Sequence, residues 1–224
     1  MPKLLINGGR SLQGQVMVQG AKNSALPLLA ATVLCKGTSY IHNCPKLSDV
    51  YASINILKYL GCKCTFINNS VSVDTSTLVC RRIPDRLMLK MRSSVIFLGA
   101  ILGRCGNAVI SSPGGCELGP RPIDLHISAL RRMGVIVKEK HGFIEFDAPN
   151  GLVGAEINLS FASVGATENI ILAAVTAVFS PNRSVAVSTT SIPTTFLKDK
   201  DLIKSSISEM NKPPGVGFPT EGAI

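Results

Sequence analysis

The apolar residues of this chain recur at two spacings, one helical and one strand-like, in a fixed and repeating order. Leu26, Leu29, Ala30 and Val33 fall at helical spacing and predict a helix over Asn23–Leu34, capped by Asn23 or Ser24. Pro27 sits in its first turn, where a missing N–H is harmless. Thr38–His42 then reads as a strand and Ser48–Leu60 as a helix stopped by Gly61. Lys63–Ile67 and Ser70–Asp74 read as a hairpin across Asn68-Asn69. The order returns with helix Leu87–Leu102, strand Asn107–Ser112, and helix Pro122–Met133 stopped by Gly134. A hairpin of Ile136–Lys140 and Phe143–Asp147 across His141-Gly142 closes that round. A third round opens with helix Val164–Phe179 and strand Ser184–Ser188; Lys200–Met210 fits its second helix, and no hairpin follows. Ahead of all three, Lys3–Asn7 and Gln15–Gln19 read as short strands joined by a Gly-rich turn.

This order predicts an α/β fold of repeated helix–strand–helix–hairpin units, each roughly 70 residues long. Leu57-Lys58-Tyr59-Leu60-Gly61-Cys62-Lys63-Cys64 aligns with Leu130-Arg131-Arg132-Met133-Gly134-Val135-Ile136-Val137. No single unit hides its own apolar face, so the units must bury one another. An α/β fold whose similar elements simply need similar patterns is the plainer alternative. The shared helix stop favours the repeat.

The chain has 224 residues and is 46% hydrophobic, enough to bury a sizeable core in one or two domains. It has no Trp and few aromatics, so aliphatic side chains must fill the interior. Its formal net charge of +9 is scattered, with no run of five basic residues and no interleaved aromatics. That pattern argues against a nucleic-acid groove. It leaves phosphorylated metabolites as candidate ligands beside an ordinary basic surface. The seven cysteines lack metal-ligand spacing, and most read as small buried hydrophobes, which suggests a reducing compartment. No signal peptide opens the sequence, and no apolar run reaches the roughly 18 residues of a membrane span. A soluble, cytoplasmic protein without a membrane partner is the expectation.

Candidate chemistry concentrates in Pro113-Gly114-Gly115-Cys116-Glu117-Leu118-Gly119-Pro120-Arg121-Pro122-Ile123-Asp124-Leu125-His126. A thiol sits among glycines, followed by a fixed cation, a carboxylate and an imidazole. Nearby positive charge stabilises a thiolate. Backbone N–H groups of a Gly-rich turn and guanidinium donors also converge readily on a phosphate. The plain alternative is an inert cysteine in a turn before a helix.

Four stretches together carry a family resemblance: Gly20–Pro27 (GAKNSALP), Met91–Ser94 (MRSS), the whole Pro113–His126 loop, and Ser163–Asn169 (SVGATEN). In order and spacing over residues 1 to about 178, the chain resembles the enolpyruvyl transferases, specifically the UDP-N-acetylglucosamine 1-carboxyvinyltransferase branch. The Cys-bearing loop argues against the shikimate-pathway branch of the same architecture. The resemblance implies an inside-out α/β barrel domain of three repeated units. It implies transfer of an enolpyruvyl group from phosphoenolpyruvate to the 3′-hydroxyl of UDP-N-acetylglucosamine, a step of cell-wall peptidoglycan synthesis. No metal or organic cofactor is expected. By this resemblance Cys116 is the general acid, and Lys22 and Asn23 contact phosphoenolpyruvate. Arg92, Arg121, Pro122, Ile123, Asp124 and Leu125 contact the nucleotide sugar, and Ser163, Val164 and Gly165 line its diphosphate end. Phosphoenolpyruvate-like epoxides are expected as covalent inhibitors at the thiol.

Each role has a structural alternative. Lys22 and Arg92, the latter within a predicted helix, fit solvated cations. Asp124 fits a charge that favours its helix N-terminus, His126 a hydrogen-bonded structural imidazole, and Ser163–Gly165 a helix cap. The family's chain is nearly twice as long, and its other domain supplies a general-base aspartate and further arginines. Residues 1–20 are therefore expected to be a strand pair belonging to that second domain, and 21–179 the domain bearing the catalytic loop. Residues 180–224 are expected to be a divergent third unit and loose tail, with Lys212–Ile224 poorly packed. A non-catalytic nucleotide-sugar-binding or vestigial domain is the alternative function.

Overall fold

The computed structural model describes residues 5, 8–9, 11, 13–111, 123–178, 185–189 and 192–197. The first round consists of α1 (Lys22–Ala31), β1 (Thr38–Ile41), α2 (Ser48–Tyr59), β2 (Lys63–Ile67) and β3 (Ser70–Asp74). A short α3 (Asp85–Met88) leads to the second: α4 (Phe97–Cys105), β4 (Asn107–Ser111), α5 (Asp124–Arg132), β5 (Ile136–Lys140) and β6 (Phe143–Asp147). The third holds β7 (Glu156–Leu159), α6 (Val164–Ala174), β8 (Val185–Thr189) and β9 (Ile192–Leu197).

The repeat is visible in strand register. The first sheet has the order β1-β3-β2 and the second β4-β6-β5, all neighbours antiparallel. Asp74 pairs with both Thr38 and Lys63, and Asp147 pairs with both Asn107 and Ile136. Both hairpins turn through two residues of positive φ, Asn68-Asn69 and His141-Gly142, which matches the right-handed strand twist. The helix stops Gly61 and Gly134 are equivalent too, at φ of +90° and +88°. The third sheet, β7-β8-β9, adds a parallel β7–β8 pair, with β9 antiparallel to β8 as β3 is to β1.

Helices lie inside and sheets outside. Six consecutive residues of α4, Phe97 to Leu102, are buried, so this helix is apolar all round and takes the centre. It packs against α1 and α6. The sheets turn one face inward, burying Val71 and Val73 of β3 and Ile144 and Phe146 of β6. This is the inside-out α/β arrangement the family resemblance implied. At the centre the α4–α6 crossing is close enough that a Cβ on Gly99 would collide with the backbone carbonyl of Asn169.

Several elements differ from the sequence reading. Gln15–Gln19 forms no strand, and Val16, Met17 and Val18 are largely exposed. The first helix starts at Lys22 with Ala21 as its cap, so neither Asn23 nor Ser24 caps it. Pro27 is thus its sixth residue, and the helix lacks the bond that a residue-27 N–H makes to the Asn23 carbonyl. The expected helix Leu87–Leu102 is broken by an extended, buried Met91 (φ −140°, ψ 143°). The Ser94 hydroxyl donates to the Met88 carbonyl at 2.7 Å, the local competition that disfavours a continuous helix. Strands β7 and β9 had no counterpart in the apolar pattern.

The cysteine reading is corrected at one pair: Cys80 and Cys105 are disulfide-bonded, their Cα atoms 5.8 Å apart. The segment after β3 is brought to the end of α4, a neighbourhood that spacing along the chain does not reveal. Cys35, Cys44, Cys62 and Cys64 are free. Burial pushes the Cys62 thiol up to about 12 and that of Cys64 up to about 11. The loop 112–122, the candidate helix Lys200–Met210 and the tail Lys212–Ile224 lie outside the described residues.

Candidate active site

Every described residue singled out by the four motifs falls at the start of a helix. Lys22 and Asn23 are the first two residues of α1, which has no side-chain cap and so leaves its leading N–H groups facing outward. Arg92 opens a single 3-10 turn, Arg92–Ile96, that runs into α4; it does not lie mid-helix as the sequence suggested. Ile123 precedes α5, and Asp124 and Leu125 are its first residues. Ser163 caps α6, and Val164 and Gly165 open it. Cys116, Arg121 and Pro122 lie outside the described residues.

Packing links the elements that these residues open. The Arg92–Ile96 turn lies against both α1 and α6, and α5 packs on α6. Gly20, just ahead of Lys22, approaches the Asn43 carbonyl so closely that no Cβ fits between them. That contact pins the backbone leading into α1. The Lys22 ammonium lies 3.0 Å from the carboxylate of Asp49 on α2, and both side chains remain partly exposed. Asp49 was not found by sequence reasoning. Its only signal was a carboxylate in the first turn of α2, which the helix dipole alone explains.

Ser163 serves as a true cap, its Oγ accepting from the Ala166 N–H at 3.3 Å. Val164 stands exposed beside it. The cap role and a ligand role are compatible, because the remaining N–H groups of that turn still point outward. Asp124 is exposed at the first position of α5, where a negative charge favours the helix, and Arg131 and Arg132 balance the other end.

His126 is buried, as the structural alternative for it required. Asn169 of α6, part of a recognised motif but assigned no role there, faces it. The Asn169 amide nitrogen lies 2.9 Å from His126 Nδ1, and its Oδ1 accepts from the Gly99 N–H at 2.6 Å. Burial holds the imidazole pKa below its usual 6.5. Burial likewise raises the Glu168 carboxyl. Among the described residues no group of three or more His, Cys, Asp or Glu is arranged to hold a metal ion. No helix among them is long and apolar enough to cross a membrane.

A domain of helices enclosed by three-stranded sheets, its motif residues at helix starts, is the arrangement expected of the enolpyruvyl transferase class. The family model of EPSP synthase (3-phosphoshikimate 1-carboxyvinyltransferase) matches residues 6–191, and the chain belongs to that family. It is 51% identical over 174 residues to UDP-N-acetylglucosamine 1-carboxyvinyltransferase 2 of Caldanaerobacter subterraneus subsp. tengcongensis, covering 78% of this chain and 42% of the relative. It is 48% identical over 180 residues to UDP-N-acetylglucosamine 1-carboxyvinyltransferase of Chlorobaculum parvum, again covering 42% of that protein. The chain therefore spans less than half the length of these relatives. Among solved structures, the enolpyruvyl transferase NikO from Streptomyces tendae superposes with a TM-score of 0.67 at 20% identity, over 80% of this chain and 41% of NikO. EPSP synthase from Acinetobacter baumannii gives a TM-score of 0.62 at 18% identity, over 80% of this chain and 41% of its own. At those identities the likeness establishes the fold.

Proposed function

We propose that this chain supplies the nucleotide-sugar-binding and acid-bearing domain of a UDP-N-acetylglucosamine 1-carboxyvinyltransferase, acting in peptidoglycan synthesis in the cytoplasm. The observation that supports the reading is that Lys22–Asn23, Arg92, Ile123–Leu125 and Ser163–Gly165 all stand at the openings of helical elements, and that these elements pack in a chain, the Arg92–Ile96 turn on α1 and α6 and α5 on α6. Helix N-termini present N–H donors and a positive dipole end, which suits the carboxylate and phosphate groups of phosphoenolpyruvate and the diphosphate of the sugar nucleotide. Lys22 and Arg121 add cationic charge for the same groups.

The chemistry assigned to Cys116 is protonation of the vinyl carbon of phosphoenolpyruvate. The thiol gives up its proton to that carbon, and positive charge develops at the adjacent, oxygen-bearing carbon. The 3′-hydroxyl of the sugar attacks there, and phosphate leaves once a proton is removed again from the neighbouring carbon. The same electrophilic carbon is open to attack by the thiolate, so a covalent adduct and inactivation by phosphoenolpyruvate-like epoxides follow. The relatives bearing this name are about twice as long, and the base that relieves the 3′-hydroxyl of its proton is assigned to the part not covered here.

Calorimetry with UDP-N-acetylglucosamine, paired with mass-spectrometric labelling of Cys116 by a phosphoenolpyruvate-like epoxide, tests the proposal. Binding together with labelling that accelerates in the presence of the sugar nucleotide is expected. Binding without labelling supports a non-catalytic binding domain instead. Absence of both refutes the proposal.

A further inference from the structure

Asn169 is the one described side chain whose hydrogen bonds tie together three of the helices that open on the candidate site. It projects from α6, accepts from the Gly99 N–H near the start of α4, and meets His126 in the first turn of α5. The backbone donor at Gly99 fixes the orientation of the amide: Oδ1 must face Gly99, so the NH2 must face His126. An amide NH2 only donates, so Nδ1 of His126 must offer its lone pair. A neutral imidazole that accepts at Nδ1 carries its proton on Nε2. Protonating Nδ1 instead sets two donors against each other inside the core, where an unmatched polar pair is expensive.

The neighbourhood has little slack. His126 is 7% exposed and Asn169 2%, and the imidazole Cε1 lies 4.0 Å from where a Gly165 Cβ would stand. His126 follows Asp124 and Leu125 directly, and Gly165 follows Ser163 and Val164. A change at Asn169 therefore reaches both nucleotide-sugar stretches through a single side chain, and reaches the end of the Arg92 turn through Gly99.

We propose that Asn169 is a positioning residue for the nucleotide-sugar subsite: by holding His126 as the Nε2–H tautomer, it locks the first turns of α5 and α6 to each other and to the start of α4. This rests on the function proposed above. It goes beyond that function by assigning a role to a buried residue that touches no substrate.

The test is carried out on the full chain with ring-15N-labelled histidine, by long-range nitrogen–proton correlation and by calorimetry with UDP-N-acetylglucosamine. Wild-type His126 is expected neutral with its proton on Nε2. In N169D the nearly isosteric carboxylate still accepts from Gly99 but now demands a donor, so the proton moves to Nδ1, and nucleotide-sugar affinity falls at least tenfold. The double variant N169D/H126N is expected to recover most of that loss, because an asparagine at 126 places an amide donor where Nδ1 stood. A wild-type ring protonated on Nδ1 overturns the proposal, as does an N169D ring that switches while affinity stays unchanged. Should the wild type not bind the sugar nucleotide at all, the functional reading falls instead. The positioning role is then decided by amide hydrogen exchange at Ile127, whose N–H closes the first turn of α5 on the Ile123 carbonyl at 3.0 Å: loss of protection in N169D with recovery in the double variant upholds it, and unchanged protection overturns it.

Discussion

The Lys22 ammonium is held 3.0 Å from the Asp49 carboxylate, across the junction of α1 and α2. The pair is partly exposed, so its net contribution to stability is about 0–1 kcal/mol. Its value lies in placing a cation beside the uncapped start of α1. We expect D49N to shift the melting temperature by no more than about 2 °C, consistent with a small free-energy change in a chain of this size. Epoxide labelling of Cys116 should slow roughly threefold in D49N and at least tenfold in K22A, in line with the loss of a charge-assisted contact to an anion. Equal labelling rates in wild type and K22A would remove Lys22 from the site.

The tight α4–α6 crossing makes a second expectation. In G99A the new methyl meets the Asn169 carbonyl oxygen, which is backbone and has nowhere to go, and it also lies 2.6 Å from Asn169 Oδ1. Overpacking and loss of the buried Gly99 N–H bond together should destabilise the fold by roughly 3 kcal/mol or more. In G103A, one turn on, the methyl meets the Thr176 hydroxyl at 2.5 Å, its Cγ2 at 3.3 Å and a Leu34 methyl at 3.0 Å, all of them side-chain atoms and none of them backbone. About 1 kcal/mol is expected there. Urea unfolding of the two variants decides it, and equal losses would show that the crossing relaxes as a whole.

Much of this architecture was legible in the sequence, and where it was not the cause is specific. The hairpins β2–β3 and β5–β6 were read to the residue, because alternation and two-residue turns are local signals. The break at Met91 was not read: Leu87 to Leu102 keeps a helical apolar pattern throughout, and the bond from Ser94 to the Met88 carbonyl leaves no trace in periodicity. Strand β7 is four residues long and is ordered by its parallel partner β8, a contact made across α6. The motif residues were legible by type, yet Asp49 and the Asn169–His126 contact come from different parts of the chain and emerge only when helices pack.

The Cys80–Cys105 bond closes a loop with a sequence separation of 25. By the chain-entropy argument it should stabilise the fold by about 3.5 kcal/mol. A reductant should therefore lower the denaturation midpoint of the wild type and leave the C80S/C105S variant unchanged. At pH 8, native alkylation should spare Cys62 and Cys64, whose thiols are pushed up to about 12 and about 11. Rapid modification of either would contradict the burial that raises these two thiols.

His126 gives the pH dependence its sign. Burial lowers its pKa below 6.5, and the Asn169 donor facing Nδ1 opposes protonation as well. The unfolded chain, with an ordinary imidazole, thus binds this proton more readily than the folded one. The stabilisation is complete above about pH 6.5 and drains away as pH falls from there towards the lower folded value. Glu168 acts with the opposite sign: burial raises its pKa above 4.5, so its contribution is present at acid pH and lost as pH rises through the folded value. Comparing the wild type with H126N, in which Glu168 is unchanged, isolates the imidazole. An asparagine at 126 still accepts from Asn169 but does not titrate, so unfolding free energies measured from pH 7.5 down to 5 should fall more steeply for the wild type. Parallel curves would mean that His126 protonates in the folded state as freely as in the unfolded chain, and that its bond to Asn169 does not hold the ring neutral.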